Sequence, residues 1–227
     1  MPQSPDVEPV LANRPRITRA LLRWGRRNAR AFPWREELPL WQALIAEVML
    51  QRTRAEQVVP TFNEFCVRYP SPSALARASN EELSGLVKPL GLRWRARLLH
   101  RLAQRIAQMD GSLPLDQQAL EALPGVGPYA AGAMLSLHAN RRAVLIDSNF
   151  VRVLSRLVGV AYDGETRRKR WIRDLSEAFT PPRAHRAYNY AVLDLAALVC
   201  RPRTPDCGQC PVLSWCATGP ARLGSNS

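Results

Sequence analysis

Leu123-Pro124-Gly125-Val126-Gly127-Pro128-Tyr129-Ala130-Ala131-Gly132-Ala133 is the stretch on which the fold turns. Before it, residues 116–122 have the spacing of a short helix, and a second helix is expected to start at Pro128 and run to Ala139. Proline suits the first helical position, where its missing N–H would have had no partner. The alanines and Gly132 leave room for another helix to pack closely. Two glycines let the backbone turn tightly and approach a ligand, and the helix start offers unpaired N–H donors. Such a turn can hold a phosphate without reading sequence. On its own it serves equally well as a plain structural connection.

The flanking segments are helical too. A basic helix follows a loose tail at residues 1–13; Ile17, Leu21, Leu22 and Trp24 can pack, while Arg16, Arg19, Arg23, Arg26 and Arg27 face water or an anion. Phe32-Pro33-Trp34 breaks it. Helices are expected over 40–50, 58–69, 80–87 and 95–109, divided by proline or glycine. Arg97, Arg101 and Arg105 form a solvated stripe on the last of these. Downstream, Asp147-Ser148-Asn149 can cap a helix over 150–158, and two more helices cover 168–179 and 187–199. No segment has convincing strand character. The class is all-α.

The chain has 227 residues, enough for one domain or two small ones. A formal charge of +13, from 32 Lys plus Arg against 19 Asp plus Glu, favours a polyanionic partner. Lysine is confined to Lys88 and Lys169, so a lysine-dependent mechanism has few candidates. No apolar run reaches the length of a membrane span, and the polar N-terminus has no secretory core. A cytoplasmic location is expected, at the nucleoid if the host is bacterial.

Cys200, Cys207, Cys210 and Cys216 are separated by six, two and five residues, with Cys66 far away. Thiolates this dense suggest a soft metal centre rather than disulfides. Zinc usually takes two separated Cys-x-x-Cys pairs, and only Cys207 and Cys210 form one here. One cubane iron–sulfur cluster suits the lopsided spacing; on spacing alone, both metals stay open. Glu47 is the one charge in the run Leu40–Leu50. Burying it ionised and unpaired would be costly, so it is functional, turned to solvent, or paired with an arginine.

The hairpin segment, the segment Asp147-Ser148-Asn149-Phe150-Val151-Arg152-Val153 and the cysteine spacing together resemble the endonuclease III (helix–hairpin–helix-GPD) superfamily of DNA glycosylases, over nearly the whole chain. The resemblance implies a two-domain fold: a six-helix domain over 33–141, and a [4Fe-4S] domain from 1–32 and 142–227, with the four terminal cysteines as cluster ligands. It implies double-stranded DNA as partner, no membrane, and a monomer. In this family the target base is flipped into a pocket between two helical domains and its bond to C1′ is broken. The resemblance assigns to Asp147 the stabilisation of the electron-poor sugar, with Glu47 and Tyr129 beside it as catalytic residues. Strand-cutting members carry a lysine where this chain has Tyr129, so a monofunctional enzyme that leaves an abasic site is expected. DNA contacts are implied for Leu123, Gly125, Val126 and Gly127 of the hairpin and for Asn149. Gln51, with Arg52 beside it, matches the side chain inserted into the gap; Trp94 is a second candidate. Arg201 and Arg203 meet phosphates or form a solvated basic loop.

Two subfamilies share the pattern around Phe32-Pro33-Trp34-Arg35 and Glu47–Thr53: thymine/uracil glycosylases acting opposite guanine, and adenine glycosylases acting opposite oxidised guanine. Ser148 where the adenine enzymes usually have glycine, Arg52-Thr53-Arg54, and an end eleven residues after Cys216 favour the former. An adenine glycosylase, and a non-catalytic iron–sulfur DNA-binding protein, are the alternatives.

Overall fold

Every regular element is helical among the residues described by the computed structural model, 5–91 and 94–224. The chain divides into two compact units, one of Ala31–Arg141 and one built from residues on both sides of it. Among the described residues no helix is long and apolar enough to cross a membrane.

The outer unit begins with α1 (Glu8–Ala12) and α2 (Arg14–Asn28). Helix α1 corrects the expectation of a loose tail through Asn13: Pro9 occupies an early helical position and Val10 is buried. Along α2, Ile17 and Leu21 are buried and all six arginines are exposed.

The inner unit holds α3 (Leu40–Leu50), α4 (Ala55–Arg68), α5 (Pro72–Ala76), α6 (Asn80–Val87), α7 (Trp94–Ala107), α8 (Gln117–Glu121) and α9 (Pro128–Ala133). Nine consecutive residues of α3, Trp41 to Met49, are buried, as expected of a helix that is apolar all round. The rings of Phe32, Trp34, Phe62 and Phe65 pack against one another, with Phe32 stacked on Trp34 at 5.0 Å and Trp34 edge-on to Phe62 at 5.6 Å. Helix α6 starts with a reciprocal cap between Ser79 and Glu82. Helix α5 was not anticipated; Ser71 accepts from the Ala74 N–H to cap it.

The second hairpin helix also departs from expectation. It is α-helical only to Ala133; Met134–His138 is a π-helical turn, with the Ala139 N–H donating to Met134 O at 2.8 Å. The wider winding changes where the last residues of the segment point.

The outer unit resumes with α10 (Ser148–Val158), α11 (Arg170–Phe179), α12 (His185–Leu198) and a terminal α13 (Gly219–Gly224). Gly25 of α2 lies against α12 so closely that an added Cβ would stand 2.6 Å from Ala191 Cβ. Where the two helices meet, Arg30 Nε donates to Asp194 Oδ1 at 2.8 Å, with the Asp194 side chain 1% exposed.

Candidate active site

Asp147 stands immediately before α10, and the plain reading of it as a helix cap is realised. Its Oδ1 accepts the N–H groups of Asn149 and Phe150, both at 2.9 Å. Oδ2 accepts the Asn149 side-chain amide at 2.7 Å. Arg152 donates to Asn149 Oδ1 at 3.0 Å, so a cation stands one residue behind the carboxylate. Desolvation raises the Asp147 carboxyl above its ordinary value, opposed by these donors and the Arg152 charge. The cap fixes one oxygen and leaves the other with a single side-chain donor. A cap and an electrostatic catalyst are therefore compatible roles for one side chain.

Glu47 is buried in the inner unit, neither turned to solvent nor paired with arginine. Its Oε1 lies 2.9 Å from His138 Nε2, and the two side chains are only 3% and 4% exposed. In the arrangement where Glu47 is a carboxylate it can only accept, and Nε2 is the donor. His138 closes the π-helical turn and was absent from the residues picked out in the sequence.

In the hairpin turn, Gly125 has φ +80, and an added Cβ would stand 2.4 Å from Leu98 Cδ2. Glycine is required there. Gly127 is extended, with φ −94, and has open space around it, so only the first of the two glycines is demanded by the turn. Leu123 and Val126 are buried in the inner core. Tyr129 is the second residue of α9 and half-buried.

Gln51 follows α3 and donates its amide to Gly125 O at 3.0 Å, joining its loop to the hairpin turn. Arg52 is exposed with φ +57, a strained conformation for a residue with a Cβ. Arg95 braces this loop. It is fully buried, and its Nη1 donates to Met49 O at the end of α3 and to Thr53 Oγ1, both at 2.9 Å. In the sequence it blends into the arginine stripe of α7, whose other members are exposed. Trp94 is 48% exposed, the state in which it can stack on bases; Leu92 and Arg93 of its loop lie outside the described residues.

The four terminal cysteines line one apolar pocket in the outer unit, together with Val153, Leu157, Leu195 and Val212. Arg156 crosses its edge. Its guanidinium donates to Cys200 Sγ at 3.4 Å and to the carbonyls of Arg201 and Pro202 at 2.7 Å, while Cys216 Sγ donates to Arg156 O at 3.3 Å. Burial first, and then charge on the three other cysteines, push the Cys210 thiol up to about 12 against a backbone hydrogen bond at Val212. Arg201 and Arg203 are exposed on this loop; Arg201 Nε donates to Thr204 O. Among the described residues no three His, Cys, Asp or Glu side chains form a group that could hold a metal ion. Four soft donors around an apolar pocket nevertheless fit a cluster, in which each thiolate binds its own iron and the sulfurs stand further apart than around one zinc.

Residues 45–181 match the HhH-GPD superfamily base excision DNA repair protein model. The chain is 36% identical over 201 residues to a thymine/uracil-DNA glycosylase of Pyrobaculum aerophilum, covering 85% of this chain and 86% of that one. It is 38% identical over 200 residues to an adenine DNA glycosylase of Mycobacterium tuberculosis, covering 87% of this chain and 66% of that one. A solved structure of a thermostable thymine-DNA glycosylase superposes with a TM-score of 0.85 at 29% identity, over 92% of this chain and 98% of that one. The chain belongs to the HhH-GPD superfamily of base excision DNA repair proteins.

Proposed function

We propose that this protein is a monofunctional DNA glycosylase that releases thymine or uracil mispaired with guanine in double-stranded DNA. The observation that carries the reading is its 36% identity to a thymine/uracil-DNA glycosylase across most of both chains. Tyr129, where a nucleophilic lysine would be needed, supports hydrolysis without strand cleavage. An excess of positive charge suits a polyanionic partner.

In this mechanism the target nucleotide is flipped out of the duplex, and Gln51 with Arg52 occupies the gap. The hairpin turn and Asn149 hold backbone phosphates, as do Arg201 and Arg203. As the C1′–N1 bond breaks, its electron pair leaves with the base and the sugar becomes electron-poor. The Asp147 carboxylate stabilises that positive charge and orients the water that bonds to C1′. Glu47 serves the base: an ionised carboxyl oxygen accepts the N3–H that thymine and uracil share.

Cys200, Cys207, Cys210 and Cys216 would hold a [4Fe-4S] cluster, which supplies cross-links that order the terminal loop. Arg156 would donate to one of its thiolates. The protein is expected to act as a monomer in the cytoplasm, on nucleoid DNA.

The test is incubation with G·T, G·U and oxidised-G·A duplexes, then alkali to cut at abasic sites. Cleavage at thymine and uracil supports the reading. Cleavage at adenine alone transfers the protein to the adenine glycosylases, a reading favoured by the 38% identity to the mycobacterial relative. A borohydride-trapped complex that survives substitution of both lysines and blocking of the terminal amine would contradict hydrolysis without a Schiff base.

A further inference from the structure

Glu47 poses an electrostatic difficulty for the reaction just proposed. A pyrimidine leaves with the electron pair of the broken bond, so negative charge grows on the base. An ionised carboxylate holding that base would repel it, and in a buried site the repulsion is poorly screened. His138 stands where the difficulty can be removed. Its Nε2 is 2.9 Å from Glu47 Oε1, with both side chains almost fully buried. Among the described residues, Oε1 is bonded to His138 alone, and no protein donor occupies Oε2.

The backbone makes a special arrangement to reach this geometry. His138 is the last residue of the π-helical turn Met134–His138, where hydrogen bonding has slipped from the α-helical pattern of Pro128–Ala133. The Arg141 N–H then folds back to Leu135 O at 2.7 Å, and Asn140 takes a φ of +51. Single π turns are uncommon and concentrate where a side chain must be aimed for function. Here the slipped turn ends with an imidazole on the one acid of α3.

We propose that His138 is a positioning residue for base release, beyond the roles of Asp147 and Glu47: it ties Oε1, leaves Oε2 to the N3–H of the flipped pyrimidine, and through its hydrogen bond damps the carboxylate charge as the base departs. This rests on the thymine/uracil reading above. No proton has to leave the pair. An N–H donated into Oε1 draws negative charge away from Oε2, so the carboxyl presents a weaker field to the forming anion. Dependence on His138 should therefore follow the stability of that anion. It is largest for thymine and uracil and smallest for 5-fluorouracil, whose anion is stabilised by its own fluorine.

The experiment measures single-turnover base release from G·T, G·U and G·5-fluorouracil duplexes by the full chain and by H138A, H138Q and E47Q, with unfolding midpoints recorded for each. H138A is expected to lose about 10²-fold on thymine and uracil and less than about 10-fold on 5-fluorouracil. H138Q keeps a donor and is expected to lose less than H138A, with the same order among the three substrates. On the E47Q background, where there is no charge to offset, H138A should add less than about 3-fold. An equal loss on all three substrates, a loss in H138Q as large as in H138A, or an undiminished effect of H138A beside E47Q overturns the proposal. If H138A unfolds, H138Q and the E47Q pair still decide it. If the unmodified chain releases none of the three bases, the substrate reading has failed and takes this proposal with it. Release with ungraded variants sinks the proposal alone.

Discussion

The two candidate acids are held in opposite ways. Asp147, in the outer unit, is fastened by neighbours two and three residues away: two backbone N–H groups and the Asn149 amide. Glu47, in the inner unit, is fastened by one imidazole 91 residues away and sits on a helix buried along most of its length. The first carboxylate is steadied by the start of its own helix, the second by tertiary packing. Local fastening makes a side chain replaceable in the fold but not in the chemistry; remote fastening makes it matter to both.

The sharpest separation is expected in rate. Asp147→Asn keeps a good helix cap but removes the charge, and should slow base release by about 10³-fold or more in single-turnover assays. Glu47→Ala should cost about 10²-fold on the same duplexes, because recognition of the base is lost while the sugar is still stabilised. Equal losses, or an unchanged Asp147→Asn, would break the division of labour.

Stability should rank the two sites the other way. Asp147→Ala loses a cap worth about 1 kcal/mol. Glu47→Ala leaves a buried imidazole without its partner and a void in α3, a loss of about 3 kcal/mol. Denaturant unfolding of the two variants measures the difference, and a larger cost at Asp147 would refute remote fastening at Glu47.

The smallest effect is on pH dependence. Burial already raises the Asp147 carboxyl, and Asn149 is among the groups pulling it down. Catalysis needs the ionised form, so activity is lost as pH falls through that raised value. Asn149→Ala removes a donor to the ionised form and should move the acid limb of the rate profile to higher pH. A limb that stays put would mean that another group sets it.

Legibility in the sequence follows the same division. The cap at Asp147 could be read because Asp-Ser-Asn stands directly before a helical run, and α3 could be delimited because its apolar residues are continuous. The pairing of Glu47 with His138 could not, because it depends on a π turn that no local preference announces. Arg95 was hidden for a similar reason. Only packing distinguishes the buried guanidinium that braces the Gln51 loop from three exposed arginines on the same helix. The convergence of the cysteines on one pocket was foreshadowed by their spacing, whereas the role of Arg156 at its rim was not.

The tight seat of α2 on α12, with Gly25 against Ala191, has a consequence for biosynthesis. The ribosome releases α2 roughly 160 residues before its partner, a delay on the order of ten seconds at ordinary translation speeds. Meanwhile Ile17 and Leu21 have no permanent cover, and the nascent helix must rely on its arginines to stay soluble. The inner unit, whose residues are all made by Arg141, is free to fold during that wait.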